Sequence, residues 1–160
     1  MSFYQFIHSG NYVKIIIHDI PEKPGVIAKI SQILASHSIN IYTIKHSVHT
    51  SEFGDIAFTV TKDRAEESIR LMNCNLDFIE GKKVSCRRDL ALVFIWGEEI
   101  RNISRFASDV LRALSEFNVE IDSLSIAIEG ITCILPERQY KEAMHAFNKM
   151  FIDETFISPT

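Results

Sequence analysis

Apolar residues recur along the first half of the chain with two alternating periods, one typical of strands and one typical of helices. β-Branched residues run through Tyr12–His18 and predict a buried strand. Over 24–37 the apolar positions follow the 3.6-residue spacing of an amphipathic helix. Alternation returns in 38–47 and 55–61, which predicts two strands joined by a hairpin loop. A second helix is predicted over 63–72.

The second half of the chain shows the same order of elements. A short aromatic-rich strand over 3–7, ended by residues 9–11, precedes the first series. The second series is predicted as strands over 83–86 and 90–96, a helix over 101–117, hairpin strands over 119–128 and 130–135, and a helix over 137–151. Residues 153–160 have weak periodicity and are predicted to be an extended or frayed tail.

The two halves also correspond residue by residue. An offset of 80 places Leu34 on Leu114 and Ile39 on Val119, and after the hairpin the offset falls to 75. The difference lies in a loop, where insertions are tolerated. A duplicated strand–helix–strand–strand–helix unit predicts an α+β fold of two antiparallel sheets, each with helices on one face. The predicted units are residues 1–82, with the leading strand, and 83–160, with the tail; an exchange of strands between them stays open.

Composition and charge exclude several classes of function. The 160 residues are 46% apolar and 24% charged, which is typical of a folded globular protein. The net charge of −4 and the lack of basic clusters beyond 82–83 and 87–88 argue against nucleic-acid binding. The longest apolar run, 90–96, is too short to span a bilayer, and no secretory signal is recognised. Three widely spaced cysteines predict unpaired thiols in a reduced, cytoplasmic protein.

The turn between the first buried strand and the first helix is the strongest candidate for chemistry. Pro24 suits the first helical turn, because its missing N–H would have no partner there. Gly25 lacks a Cβ, so another backbone or a small ligand can approach closely. The N–H groups of the first turn favour an anion such as a carboxylate. A well-formed connection and a binding site are equally compatible with these residues.

A resemblance to a known family rests on motifs from both halves. The motifs are Pro21–Ile30, Ser38–Ile44 and Asp55–Val60 in the first repeat, and Trp96-Gly97, Val119–Ile121, Ile131–Ile134 and Ala143–Phe151 in the second. In order and spacing they resemble tandem ACT domains, ligand-binding modules of the ferredoxin-like βαββαβ type that regulate amino-acid metabolism. More narrowly, the chain is similar to the regulatory region, or the separately made small subunit, of an aspartate kinase (aspartokinase).

The resemblance implies both a function and a set of site residues. In the family an amino acid, lysine or threonine, binds between ACT units, chains pair as dimers, and a kinase is inhibited by feedback. The implied partners are therefore an amino-acid effector, a second copy and an aspartate kinase catalytic domain or subunit. No cofactor and no catalytic residue is implied. Carried over by position, the effector-binding residues are Glu22, Lys23, Pro24, Gly25, Val26, Ile27, Asn40, His46, Asn118, Glu120, Ile121 and Ser125.

Some positions depart from the family pattern and affect the choice of effector. Glu22 stands where the family usually has Asp, and His46 where it typically has Gln. In the second repeat, Ser104 and Arg105 replace the Pro-Gly turn. Lysine, threonine and no effector at all therefore stay open. The alternative function is a ligand-free dimerisation module of an amino-acid biosynthesis enzyme.

Other reactive residue types predict no further site. On a strand, the spacing of His46 and His49 places them on opposite faces, so no metal site is predicted. Cys133 lies in an apolar strand and is interpreted as a small core residue. The sequence contains neither a Gly-rich phosphate loop nor a nucleophile elbow, so no catalytic site is predicted in this chain.

Overall fold

The computed structural model describes residues 4–97 and 103–155. In chain order the elements are β1 (Tyr4–Pro21), α1 (Val26–Ser36), β2 (Thr43–Val48), β3 (Phe53–Thr61), α2 (Lys62–Cys74), α3 (Leu76–Ile79), β4 (Lys83–Gly97), α4 (Ile103–Glu116), β5 (Ser123–Ala127), β6 (Gly130–Pro136), a 3₁₀ turn (Glu137–Gln139) and α5 (Tyr140–Thr155). The predicted tail beyond residue 155, residue 3 of the leading strand and residues 101–102 of the predicted helix lie outside the described residues. Within the described ranges, no helix is long and apolar enough to cross a membrane.

The chain divides into two compact units. The first unit runs from Asn11 to Arg88, and the second comprises the chain from Asp89 onward together with the residues up to Gly10. The structure therefore places the division after Arg88, whereas the sequence analysis placed it after residue 82. It also groups the leading residues with the second unit. Strands β1 and β4 each pass from one unit to the other.

The first unit is an antiparallel sheet covered by helices. Its strand order is β2-β3-β1-β4, and Phe58 on β3 lies opposite both Ile15 on β1 and Ile44 on β2. Alternate strand residues pack with the apolar face of the helices, because successive side chains of a strand point to opposite faces. The buried residues of this core are Val13, Ile15, Ile17, Ile20, Val26, Ile30, Leu34, Ile39, Ile56, Phe58, Val60, Ala65, Met72 and Ile79.

The second unit has the same architecture, with strand order β1-β4-β6-β5. Val93 on β4 lies opposite Cys133 on β6, and both are fully buried. Burial raises the pKa of the Cys133 thiol to about 12, so the interpretation of this cysteine as a core residue is confirmed. The buried core residues are Ala91, Val93, Ile95, Phe106, Ala107, Val110, Ala113, Leu114, Val119, Ile131, Cys133, Leu135, Ala143, Ala146, Phe147 and Met150.

The predicted repeat is confirmed by the strand register. Thr43 of β2 lies opposite Thr59 of β3, and Ser123 of β5 lies opposite Ile134 of β6. The first members of these pairs differ by 80 positions and the second members by 75, as the sequence offsets predict. The prediction of an α+β fold with antiparallel sheets and helices is likewise confirmed.

Several predicted elements differ in extent from those observed. The predicted strands over 3–7 and 12–18 are joined into one strand, β1, and those over 83–86 and 90–96 into β4. At each junction a residue has positive φ, Asn11 at 70° in β1 and Asp89 at 55° in β4, and β1 has a second such residue at Asp19 (54°). The short helix α3 was not predicted, because four residues are too few for a helical period.

Candidate functional site

A pocket of about 360 Å³ opens beside the turn between β1 and α1, within the first unit. This volume falls in the usual range for small-molecule sites. The lining residues come from the end of β1, the turn, the start of α1, and strands β2 and β3: Ile20, Pro21, Glu22, Lys23, Pro24, Gly25, Val26, Ile27, His46 and Ile56. The pocket thus brings together seven of the predicted effector-binding residues, from Glu22 to Ile27 and His46.

The turn itself is built around a left-handed glycine. Gly25 has φ 96° and forms the N-cap of α1, which begins at Val26. Pro24 therefore lies before the cap and not in the first helical turn as predicted. No heavy atom lies within 4 Å of a Cβ placed on Gly25, so the backbone conformation, and not crowding, is what requires glycine here.

A carboxylate–imidazole pair forms the polar side of the pocket. Nε2 of His46 lies 2.7 Å from Oε1 of Glu22, and the Glu22 side chain is only 19% exposed. The backbone N–H of Glu22 donates to the carbonyl of Glu52 in the β2–β3 hairpin at 2.8 Å. Gly54 packs directly behind the pair, because a Cβ on it would collide with Glu22 Oε1 and lie 3.2 Å from His46 Nε2. Strand β2, the β2–β3 hairpin loop and strand β3 each contact Glu22 and together fix its position.

The N-terminus of α1 also lines the pocket. The N-cap residue, Gly25, has no side chain that could bond to the first helical turn. The leading N–H groups of that turn have no partner inside the helix. A helix N-terminus favours a negative charge through these groups and the helix dipole. A carboxylate and a helix N-terminus in one pocket match the two charged groups of a zwitterion.

Contacts from α3 hold the turn in place. The Lys23 ammonium pairs with the carboxylate of Glu80, and Nζ of Lys29 lies 3.7 Å from the same group. The Lys29 ammonium also donates to the carbonyl of Phe78 at 2.8 Å and lies 4.6 Å from the centre of its ring. The Lys23 hydrogen bond lowers the pKa of Glu80, so this carboxylate is ionised at neutral pH.

Comparison with known proteins shows which proteins this chain is similar to. No protein-family model matches the chain. An aspartokinase of Thermus thermophilus is 27% identical over 143 residues, which cover 88% of this chain and 35% of that protein. The regulatory subunit of aspartate kinase from Thermus thermophilus, solved in its ligand-free form, is 25% identical with a TM-score of 0.82, covering 94% of this chain and 97% of that one.

The chain is thus similar in sequence and in fold to the regulatory region of aspartate kinases. It spans about a third of the length of the curated aspartokinases that it matches, 35% of the Thermus protein. The fold is also that of aspartokinase III from E. coli in complex with lysine and aspartate, at 18% identity and a TM-score of 0.63, covering 91% of this chain and 32% of that one. The predicted resemblance to ACT-type regulatory domains is therefore confirmed.

The remaining predicted site residues do not line the pocket. Asn40 is exposed between α1 and β2, and the other four belong to the second unit. Among them, Glu120 pairs with Arg138 at 3.0 Å, and the carbonyl of Asn118 accepts a hydrogen bond from Gln139. Ile121 and Ser125 are exposed. Their role in effector binding stays a prediction.

The sequence analysis missed several residues that shape the pocket. Ile20 and Ile56 line it from β1 and β3, Gly54 supports Glu22, and Glu80 anchors the turn. The alternation of apolar residues places Ile20 and Ile56 in the core but does not show that a cavity reaches them. A helix of four residues carries Glu80 to Lys23 across more than fifty positions of sequence, and no local signal predicts that contact.

A second polar network surrounds Asp55. Nδ1 of His18 and Nε2 of His49 lie 2.8 and 3.0 Å from Oδ2 of Asp55, and the N–H of Asp19 donates to Oδ1 at 3.1 Å. The hydroxyl of Ser85 lies 2.7 Å from Nε2 of His18. The network thus joins β1, β3 and β4. His49 contacts Asp55 in this network, whereas His46 contacts Glu22 in the pocket. Among the residues in the described ranges, no group of three His, Cys, Asp or Glu is arranged to hold a metal ion.

Replacing Asp55 by asparagine is expected to lower stability at neutral pH but not in acid. Burial alone would raise the pKa of Asp55, but hydrogen bonds from His49, the Asp19 N–H and His18 outweigh it and lower the pKa. A lowered pKa stabilises the fold above the unfolded value, near 3.9, and this contribution is lost as the pH falls through the folded value. Urea unfolding should show a difference of about 1 kcal/mol at neutral pH that disappears in acid.

The control for this measurement is Asp77→Asn, which removes an exposed carboxylate on α3. It should leave the free energy of unfolding within about 0.5 kcal/mol of wild type. A constant destabilisation of Asp55→Asn across the same pH range would contradict the assignment of the effect to the ionised carboxylate.

Proposed function

We propose that this chain is the effector-binding module of an aspartate kinase, and that an amino acid binds in the pocket beside the β1–α1 turn. The observation that carries the proposal is that Glu22, His46 and the N-terminus of α1 line the same pocket. The α-ammonium of the ligand would meet Glu22, and its α-carboxylate the first turn of the helix. Lysine and threonine are the candidate effectors, and aspartokinase III from E. coli, which shares the fold, was solved in complex with lysine.

Binding would regulate a kinase through the equilibrium between two arrangements of subunits. A ligand shifts such an equilibrium only by its difference in affinity for the two states. The turn can transmit binding, because Lys23 connects it to α3 through Glu80 and the Glu22 N–H connects it to the β2–β3 hairpin. Movement of the turn therefore displaces two further elements of the first unit. The catalytic partner is proposed to be an aspartate kinase domain or subunit.

The deciding experiment is a titration of the full chain with each of the twenty amino acids by calorimetry and thermal shift. We expect at least one to bind and to raise the melting temperature, since a ligand that binds only the folded state stabilises it. Glu22→Gln should weaken that ligand by about tenfold or more, because a hydrogen bond to a charged group is lost. The control Glu142→Gln alters an exposed residue of α5 and should bind as wild type does.

Absence of binding for all twenty amino acids would overturn the effector proposal for this chain. The alternative, a ligand-free assembly module, would then be favoured. It is supported by the exposed apolar side chains of strand β2, which ends the strand order of the first unit: Ile44 is 41% and Val48 63% exposed. Edge strands with apolar side chains are templates for pairing with another chain.

Both readings predict self-association, which sedimentation equilibrium measures. We expect a dimer, and we expect its association constant to change with amino acid only if the effector proposal is correct. Ile44→Lys should weaken the dimer by placing a charge on the edge strand. Ser51→Lys, at an exposed position of the hairpin loop after β2, is the matched control and should leave the association constant unchanged. A monomer at all concentrations would exclude the assembly function.

A further inference from the structure

The lining of the pocket contains one carboxylate among its described residues, that of Glu22. One of its oxygens, Oε1, lies 2.7 Å from His46, so Oε2 is the atom left for the α-ammonium of a ligand. A second ammonium on the same ligand would find no further carboxylate among the lining residues. Removing an ammonium from water without a partner is unfavourable, so the charges of the lining limit the charges of the ligand.

Positive charge is already concentrated at this turn. Lys23 lines the pocket, and its ammonium pairs with Glu80, which does not line it. The ammonium of Lys29 lies 3.7 Å from the same carboxylate. Because two ammonium groups already compensate the charge of Glu80, this carboxylate attracts a third ammonium only weakly. A cationic ligand side chain would also be repelled by Lys23.

The rest of the lining is aliphatic. Ile20 and Ile56 are each only 1% exposed and Val26 is 3% exposed, so they form the buried floor of the pocket, and Pro21, Pro24 and Ile27 complete its apolar wall. Ile27 is 39% exposed and lies at the open side. An aliphatic ligand side chain against this wall gains about 25 cal/mol for each Å² of apolar surface removed from water. A charged side chain gains less, because its charged end must keep its water.

We propose that the pocket selects amino acids whose side chains are uncharged and aliphatic in character, such as threonine or valine, and discriminates against lysine. The inference rests on the proposed function, since it names the class of ligand for the same pocket. Glu22 and the helix N-terminus take the two charges common to all amino acids. The side chain then meets only Lys23 and the apolar wall, and this decides between ligands.

Lysine and norleucine provide the matched test, because norleucine has a side chain of nearly the same length without the ammonium. The full chain is titrated calorimetrically with L-norleucine, L-lysine, L-threonine and L-valine near neutral pH. We expect norleucine to bind at least about tenfold tighter than lysine, which corresponds to about 1.4 kcal/mol. Lysine binding as tightly as norleucine, or tighter, would overturn the inference and leave the proposed function intact. If none of the four binds, the inference fails, whereas the proposed function fails only if none of the twenty amino acids binds.

A variant that adds a carboxylate should reverse the preference. Ile27→Glu places an acidic group at the open side of the pocket, and Ile27→Gln is the uncharged control of the same size. The exposure of Ile27 makes both substitutions compatible with the fold, which circular dichroism checks. We expect the norleucine-to-lysine affinity ratio to be at least about fivefold lower in Ile27→Glu than in Ile27→Gln, since the two variants differ only in the charge. An unchanged ratio in Ile27→Glu would show that charge does not set the selectivity.

Discussion

Replacing Phe58 by alanine is expected to lower the free energy of unfolding by about 3–5 kcal/mol. Phe58 is fully buried at the centre of the first unit, where its strand pairs with β1 on one side and β2 on the other. The substitution removes most of the ring and leaves a cavity that the neighbouring strands cannot close, because their backbones are held by hydrogen bonds. Urea unfolding followed by circular dichroism measures the loss.

The control for Phe58→Ala is Ile128→Ala. Ile128 is 86% exposed, so its truncation should change the free energy of unfolding by no more than about 0.5 kcal/mol. Phe147→Ala is the corresponding large-to-small change in the core of the second unit, where Phe147 is fully buried. Fluorescence of Trp96, the one tryptophan of the chain, reports on that unit. A cost below about 1 kcal/mol for Phe58→Ala would contradict the assigned packing.

Replacing Gly54 by alanine is expected to reduce stability by about 1–3 kcal/mol and to abolish effector binding. A Cβ at this position would lie 2.5 Å from the carbonyl oxygen of Ser47 and would collide with Glu22 Oε1. Because Ser47 belongs to the paired strand, the β2–β3 hairpin must shift, and the Glu22–His46 pair shifts with it. Urea unfolding and calorimetric titration with the ligand of the wild-type chain measure the two losses.

Gly25→Ala is the informative comparison, because it is expected to act through a different cause. A Cβ on Gly25 meets open space, so the substitution causes no steric clash. The loss of stability comes from the backbone, because alanine at φ 96° costs about 1–2 kcal/mol of conformational free energy. Ser51→Ala, in the exposed hairpin loop, should behave as wild type. If Gly54→Ala kept wild-type stability and binding, the close packing behind Glu22 would not be needed to hold the site.

Duplication was readable from the sequence because both repeats must bury the same face of the same elements. The two repeats also correspond in backbone conformation, which the hydrophobic pattern does not predict. Ser38 and Asn118 follow α1 and α4 at equivalent positions, with φ of 54° and 52°. The N–H of Ile39 bonds to the carbonyl of Leu34 in the first unit at 3.0 Å, and the residues 80 positions later make the same bond. Periodicity finds such repeats because core positions tolerate few polar residues.

The extents of the strands were harder to predict, since local signals compete there with pairing across the sheet. Ser9, Gly10 and Asn11 have the composition of a turn, yet β1 continues through them. Positive φ at Asn11 and Asp89 accounts for the polar residues at these points, because Asn and Asp adopt this conformation more readily than most residues. Hydrogen bonds to neighbouring strands decide whether such a residue ends a strand or only bends it.

The sequence by itself determined the class of fold, the repeat and the β1–α1 turn as the place to look for a site. These features follow from local properties: the period of apolar residues, and the conformations that proline and glycine permit. It also placed Glu22 and His46 in one site, though only through a family resemblance. Only the tertiary structure decided that Gly54 packs behind that pair, that Glu80 anchors the turn, and that Ile20 and Ile56 face the cavity. Those contacts join residues distant in sequence, and their geometry depends on how strands and helices pack, which no local pattern specifies.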